Sequence, residues 1–181
     1  MNLPNRITLA RIILVPVFLA IVSIKITYGQ FLAAAVFIIA ASTDGLDGYF
    51  ARKRNQVTKL GKFMDPLADK LLVSAALISL VELNIISAWI AFIIIGREFA
   101  ITGLRSIAAA DGIVISASKL GKVKTISQIV AIVFLLIKDF PFNLLNIPIG
   151  KISLGVAVIF TIWSGLDYFN RASHLLKAGQ K

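Results

Sequence analysis

The stretch TDGLDGYFARKRNQVTKLGKFMDPLADK, residues 43–70, decides the fold because it places four aspartates where two apolar segments meet. Asp44 and Asp47 are three residues apart, and Asp65 and Asp69 are four apart. In an α-helix, each of these pairs lies on one face, about a turn apart. Two antiparallel helices joined by a short loop would therefore present all four carboxylates to one another.

The composition of the chain argues against a water-soluble fold. Hydrophobic residues make up 58% of the 181 residues and charged residues only 15%, whereas soluble domains carry about 25% charged residues. The sequence contains no cysteine, which excludes disulfides, thiolate metal sites and cysteine nucleophiles. Since no Ser-, Pro- or Gly-rich linker divides the chain, residues 1–181 are predicted to form one domain.

Hydropathy predicts an all-α integral membrane protein with six transmembrane helices. A helix that crosses a membrane needs roughly 20 mostly apolar residues. Such windows fit at 7–27, 31–52, 65–83, 86–108, 120–138 and 152–175. Turn-forming or polar residues, such as Tyr28-Gly29, Asn84 and Asp111-Gly112, separate them. The first window lacks an A-x-A-like cleavage site, so it is predicted to be retained and not removed as a signal peptide.

The distribution of lysine and arginine predicts that both termini are cytoplasmic. In that orientation all 19 basic residues lie at inner helix ends or inner loops except Lys25, Lys138 and Lys151, in agreement with the positive-inside rule. The four aspartates then lie near the cytoplasmic face. Because the net charge of +10 is scattered between apolar runs, membrane lipids with anionic headgroups, and not nucleic acid, are the expected partner.

Four facing aspartates at a membrane surface predict a metal site. An ionised aspartate inside a membrane costs about 3 kcal/mol or more, and neighbouring carboxylates repel one another, so a cation must compensate. Carboxylate oxygens suit Mg²⁺ or Mn²⁺, and two such ions would leave open positions for phosphate oxygens. The alternative is that the aspartates form salt bridges with nearby basic residues, namely Arg52, Lys53, Lys62 and Lys70.

The spacing of these residues resembles the signature of the CDP-alcohol phosphotransferase family, D-x2-D-G-x2-A-R-x8-G-x3-D-x3-D. The matching residues are Asp44, Asp47, Gly48, Ala51, Arg52, Gly61, Asp65 and Asp69. The opening LPNRITLARIILVP, residues 3–16, and the six-helix plan are also similar to this family. The resemblance implies transfer of the phosphatidyl group of CDP-diacylglycerol to an alcohol, with CMP as the leaving group.

The resemblance also implies roles for individual residues. Asp44, Asp47 and Asp65 would be metal ligands, and Asp69 would complete the site and act as general base on the acceptor hydroxyl. The nucleotide site would be lined by Gly48, Ala51 and Arg52, with Asn5 and Thr8 as further candidates. Gly48 and Ala51 could equally form a helix-packing seam. Two Mg²⁺ or Mn²⁺ ions, a bacterial plasma membrane and a homodimer are expected on the same basis.

Residues outside the signature should select the acceptor alcohol. Five basic residues fall on the fourth and fifth predicted helices near the cytoplasmic face: Arg97, Arg105, Lys119, Lys122 and Lys124. Cations inside membrane helices need anionic partners, and a phosphate on the acceptor would provide one. The alternative role for these cations is anchoring at the membrane surface. Anchoring is favoured for Lys119, and for Lys122 the two roles are equally well supported.

The arrangement of these charges on the fourth helix is uneven. Glu98 and Arg105 share a stripe, whereas Arg97 lies about a hundred degrees away, so the charges need not serve one purpose. The segments REF-x3-GLR and GK-x-KT, within residues 97–125, resemble family members whose acceptor is glycerol 3-phosphate. Glycerol 3-phosphate is therefore the expected acceptor.

Other functions are compatible with parts of this pattern. The same chemistry could use inositol phosphate, serine or phosphatidylglycerol as acceptor, and of these inositol phosphate would use the basic residues equally well. From a different functional class, the carboxylates could line a divalent-cation transport path. Such a path predicts acidic groups spread through the membrane depth, whereas the four aspartates gather at one end.

Overall fold

The computed structural model describes residues 3–24, 26–53, 59–110 and 119–178. Side chains are described throughout these ranges except at 3–4, 44–53, 59–63, 110, 119 and 171–178. The described residues form six α-helices and no strand: α1 (Leu3–Ser23), α2 (Gly29–Lys53), α3 (Lys59–Glu82), α4 (Ala88–Ala110), α5 (Lys119–Leu136) and α6 (Ile149–Ala178). A short 3₁₀ helix, Phe142–Leu145, precedes α6. The prediction of an all-α fold is confirmed.

Each predicted helix corresponds to one observed helix, with differences at the ends. The largest difference is in α3, which begins at Lys59 and not at residue 65. Hydropathy locates the apolar part of a helix, but backbone hydrogen bonds continue through polar residues beyond it. α6 likewise runs to Ala178, past the predicted end at residue 175.

Asn84 ends α3 by adopting a left-handed backbone conformation, with φ of 55°. The Asn84 N–H donates to the carbonyl of Val81, and the Ile85 N–H donates to that of Leu80. This pair of bonds is the Schellman arrangement that satisfies the last carbonyl groups of a helix. The prediction of a turn at Asn84 is confirmed.

The helices pack around one main hydrophobic core. α1 packs against α2 and α3, while α6 packs against α5 and α4. Phe18 and Phe37 are fully buried in this core, and their ring centroids are 6.1 Å apart. A smaller cluster of Ile101, Ala108 and Tyr168 joins α4 to α6. Ile101 and Tyr168 of this cluster also line the cavity described below.

Polar contacts show that α1 runs antiparallel to α2 and parallel to α3. Near its start, α1 contacts the first part of α3 through Thr8 and Asp65, and it contacts the later part of α2 through Arg11 and Thr43. Near its start, α5 contacts α4 through Lys124 and Glu98. We call the end of the bundle that contains these six contact residues the polar end.

Two helical stretches, Asn5–Ser23 and Ile149–Asn170, are long and apolar enough to cross a membrane, in a search of the described residues. Charged residues near the polar end shorten the uninterrupted apolar stretches of α2, α3, α4 and α5. Large apolar side chains, including Ile13, Trp89 and Phe92, are exposed on the outside of the bundle. Such a surface is typical of a membrane protein.

Candidate active site

Thr8 connects the start of α1 to one of the four aspartates. Its hydroxyl donates a hydrogen bond to Oδ1 of Asp65 at 2.5 Å, and its side chain is fully buried. Asn5, one turn earlier in α1, is also buried. The hydrogen bond brings one nucleotide-site candidate, Thr8, next to a candidate metal ligand, and Asn5 lies on the same face of α1.

Arg11 connects α1 to the part of α2 that carries the first two aspartates. Its Nε donates to Oγ1 of Thr43 at 3.2 Å, and Arg11 is fully buried. Thr43 directly precedes Asp44. The signature residues Asp44, Asp47, Gly48, Ala51 and Arg52 are part of α2, but their side chains lie outside the described residues.

A cavity of about 430 Å³ opens at the polar end between α3, α4, α5 and α6. All four basic residues predicted to contact an acceptor phosphate line this cavity: Arg97, Arg105, Lys122 and Lys124. Lys70 is a fifth basic residue in its wall, and Glu98 is the carboxylate among the residues that line it. We call this space the basic cavity.

Glu98 holds two of the basic side chains together. Its Oε1 accepts hydrogen bonds from Nζ of Lys124 and from Nη1 of Arg97, the latter at 3.1 Å. Lys124 is only 3% exposed. A buried ammonium group needs a compensating charge, so Glu98 explains how Lys124 can lie beneath the cavity.

Arg97 reaches the basic cavity although its position on α4 is offset from the stripe of Glu98 and Arg105. Its long side chain extends to α6, where Nη2 donates to Oγ of Ser164 at 2.9 Å. Arg97 and Arg105 therefore line the same space. The angular offset of Arg97 around the helix therefore does not place it in a different environment from Arg105.

Arg105 and Lys122 are more exposed than Arg97 and Lys124. Both are solvent-exposed at the rim of the basic cavity. Neither has a hydrogen bond or an ion pair within the part of the chain that the structure describes. Their charges are therefore available to an anion that enters the cavity.

Asp69 lies beside the basic cavity. It lines a small adjoining space of about 20 Å³ with Ser74 and Gln128, and that space shares Lys70, Glu98, Lys124 and Thr125 with the basic cavity. Asp69 also interacts electrostatically with Lys124. A space of this volume holds about one water molecule. The last aspartate of the signature and the basic residues thus belong to one continuous region.

Several residues of this region were not predicted as site residues from the sequence. They are Lys70, Glu98, Thr102, Thr125, Ser164 and Tyr168. In α6, Ser164, Gly165 and Tyr168 are buried and lie on one face at helical spacing. Small and polar residues within an apolar helix are a sequence signal for close helix packing. That signal could have identified this face.

Comparison with known proteins decides the family. The family model of CDP-alcohol phosphatidyltransferases matches residues 1–163. The chain belongs to the CDP-alcohol phosphatidyltransferase family. It is therefore an enzyme that transfers a phosphatidyl group in phospholipid synthesis.

Individual relatives of this phosphatidyltransferase are bacterial. A protein of Bacillus subtilis named CDP-diacylglycerol–glycerol-3-phosphate 3-phosphatidyltransferase is 50% identical, with 97% of each chain covered. Proteins of the same name from Rickettsia felis and Shigella flexneri are 38% and 39% identical, with 93% and 94% of each chain covered. The similarity therefore extends over nearly the whole length of the chain.

Enzymes of this family generally use divalent metal ions. Among the side chains that the structure describes, no group of three His, Cys, Asp or Glu residues could hold a metal. Two of the four signature aspartates, Asp65 and Asp69, are within that part, and the other two are outside it. Together, the four aspartates would supply oxygen ligands from two neighbouring helices, the ligand type that suits Mg²⁺ or Mn²⁺.

Proposed function

We propose that this phosphatidyltransferase uses CDP-diacylglycerol and glycerol 3-phosphate, and that its products are phosphatidylglycerol phosphate and CMP. The observation that carries the choice of acceptor is the basic cavity, whose lining contains five basic side chains and one carboxylate. The printed names of the bacterial relatives support the same acceptor.

The basic cavity would bind the phosphate of the acceptor. Arg105 and Lys122 at the rim supply charges without partners in the described part of the chain, while Arg97 supplies a guanidinium that is already oriented. Lys124, paired with Glu98, adds to the positive potential from below. Hydrogen bonds between cations and phosphate oxygens are about twice as strong as neutral ones.

Asp44, Asp47, Asp65 and Asp69 would hold two Mg²⁺ or Mn²⁺ ions. When bound, these ions neutralise the diphosphate of the lipid substrate and stabilise the departing CMP. Thr8 orients Asp65 by donating to one of its oxygens and leaving the other available. Arg11 would hold the adjoining turn of α2 through Thr43.

Asp69 would also remove the proton from the attacking hydroxyl. A phosphate held in the basic cavity places the hydroxyl groups of a small acceptor close to Asp69, because the two lie side by side. A general base must come within hydrogen-bond distance of the proton that it removes. Asn5, Thr8, Gly48, Ala51 and Arg52 would line the nucleotide site, which α1 and α2 supply.

The proposed setting is the plasma membrane of a bacterium, with the whole of 1–181 as one domain. All six helices would span the membrane, with both termini and the polar end on the cytoplasmic side, where soluble glycerol 3-phosphate is available. The excess of lysine and arginine on that side supports this orientation. The resemblance to the family further suggests a homodimer.

A panel of acceptors tests the proposal. Protein purified in detergent is supplied with CDP-diacylglycerol, Mg²⁺ or Mn²⁺, and one of glycerol 3-phosphate, inositol phosphate, serine or phosphatidylglycerol. We expect rapid CMP release with glycerol 3-phosphate alone. A faster reaction with any other acceptor would refute the assignment and leave the phosphatidyl transfer itself intact.

A further inference from the structure

Ser164 of α6 binds a guanidinium group of the basic cavity. Its Oγ accepts a hydrogen bond from Nη2 of Arg97 at 2.9 Å, and Ser164 is fully buried. The same hydroxyl donates to the carbonyl oxygen of Phe160 in its own helix. Because that bond fixes the hydroxyl proton, an oxygen lone pair of Ser164 is directed to Arg97. This contact connects residues 67 positions apart.

Gly165 leaves space for the same arginine side chain. A Cβ atom at Gly165 would lie 3.4 Å from Cγ of Arg97 and 3.9 Å from its Nε. A methyl group would therefore make an ordinary contact, but a larger side chain would overlap the arginine. At Gly155, on the same helix, an added Cβ would have no such neighbour within 4 Å.

Glu98 binds the same guanidinium group through a second nitrogen. Nη1 of Arg97 donates to Oε1 of Glu98 at 3.1 Å, so two of the three guanidinium nitrogens are bound to different helices. Because the guanidinium is planar, two such bonds determine the orientation of the whole group. Nε of Arg97 is buried and has no hydrogen-bond partner among the described residues.

We propose that Ser164 and Gly165 are positioning residues that determine specificity for a phosphorylated acceptor by holding Arg97 in the wall of the basic cavity. The inference rests on the proposed function, because it assigns an acceptor phosphate to that cavity. It gives α6 a part in substrate selection, although the signature residues all lie on α2 and α3.

The physical basis is the conformational freedom of arginine. A free arginine side chain occupies many rotamers, and binding a phosphate would restrict them at the expense of affinity. Ser164, Glu98 and the space at Gly165 impose that restriction before the acceptor arrives. The competing explanation is that Ser164 and Gly165 only pack α6 against α4, since small residues favour close approach of helices.

Substitution of Ser164 distinguishes these explanations. Ser164→Ala removes the bond to Arg97 and is expected to raise the KM for glycerol 3-phosphate roughly threefold to tenfold, with little change in kcat or in the KM for CDP-diacylglycerol. Ser164→Thr keeps the hydroxyl and should restore most of the affinity. In an Arg97→Ala background, Ser164→Ala should have no further effect on the KM, because its partner is gone.

Substitution of glycine provides a steric test with a matched control. Gly165→Val should displace the Arg97 side chain and raise the KM for glycerol 3-phosphate at least as much as Ser164→Ala does. Gly155→Val makes the same change on the same helix at an exposed position and should leave both KM values unchanged. Thermal unfolding of each variant in detergent establishes that the comparison is made on folded protein.

The outcomes separate failure of this inference from failure of the proposed function. If the wild-type protein uses glycerol 3-phosphate but Ser164→Ala changes neither KM, or changes both equally, the positioning role is refuted. An equal effect of Ser164→Ala with and without Arg97 would refute it as well. If the wild-type protein uses inositol phosphate, the proposed function fails, and the same series measured with that phosphorylated acceptor decides the role of Ser164. Preference for an acceptor without a phosphate would refute both.

Discussion

Replacing Arg105 with alanine separates recognition of the acceptor phosphate from anchoring at the membrane surface. Arg105 is exposed at the rim of the basic cavity and has no ion pair within the described part of the chain. The substitution should therefore remove a contact to the acceptor without leaving a buried charge unpaired. Folding should be unaffected, and the loss should appear in binding.

The size of the effect follows from the exposure of Arg105. Hydrogen bonds to charged groups contribute about 1.5–3 kcal/mol, and solvent screening at an exposed position favours the low end of that range. A loss of about 1.4 kcal/mol corresponds to a factor of ten. We expect Arg105→Ala to raise the KM for glycerol 3-phosphate about tenfold and to leave the KM for CDP-diacylglycerol nearly unchanged.

The assay for this variant is CMP release in detergent, with each substrate varied while the other is saturating. Arg105→Lys keeps the charge but loses the bidentate hydrogen-bond geometry of the guanidinium, so an intermediate KM for glycerol 3-phosphate is expected. Lys151→Ala, which removes an exposed cation at the start of α6, is the matched control. A change of equal size in both KM values for Arg105→Ala would refute an acceptor-phosphate role.

Three further predictions concern the metal ions, the aspartates and the buried ion pair. Treatment with EDTA should abolish CMP release and added Mg²⁺ or Mn²⁺ should restore it; full activity of verified metal-free protein would contradict the two-metal proposal. Asp69→Asn should abolish turnover while metal and CDP-diacylglycerol binding largely persist, whereas Asp44→Asn should weaken metal binding itself. If Asp69→Asn turns over near the wild-type rate, or loses metal as badly as Asp44→Asn, Asp69 is not the general base. Glu98→Gln should lower the stability by about 3 kcal/mol because Lys124 loses its compensating charge, and thermal unfolding against the exposed control Glu82→Gln measures this; equal stabilities would show that the ion pair contributes nothing.

The helices could be predicted from the sequence because apolar length is a local property. All six predicted segments coincide with helices, and a polar residue between two apolar windows predicts the turn at Asn84. The start of α3 was misplaced because its first turn, from Lys59, is polar. A helix that continues beyond the apolar region of a bundle leaves no hydropathy signal.

Four of the five cations that line the basic cavity could also be predicted, because charged residues in apolar helices are conspicuous. The contacts that hold these cations in place could not be predicted from the sequence. Nothing in the sequence pairs Arg97 with Ser164, and nothing identifies Glu98 as the partner of Lys124. Such pairs depend on which helices become neighbours in the bundle and on the reach of long side chains, and helical spacing within one segment contains neither kind of information.

The transfer of label from glycerol 3-phosphate into lipid tests the central claim most directly. Purified protein is incubated with CDP-diacylglycerol, a divalent metal ion and glycerol 3-phosphate that carries a radioactive phosphate, and the lipid and CMP fractions are quantified together. We predict equal amounts of CMP and of labelled phosphatidylglycerol phosphate. Release of CMP without label in the lipid fraction would show hydrolysis or another acceptor, and would contradict transfer of the phosphatidyl group to glycerol 3-phosphate.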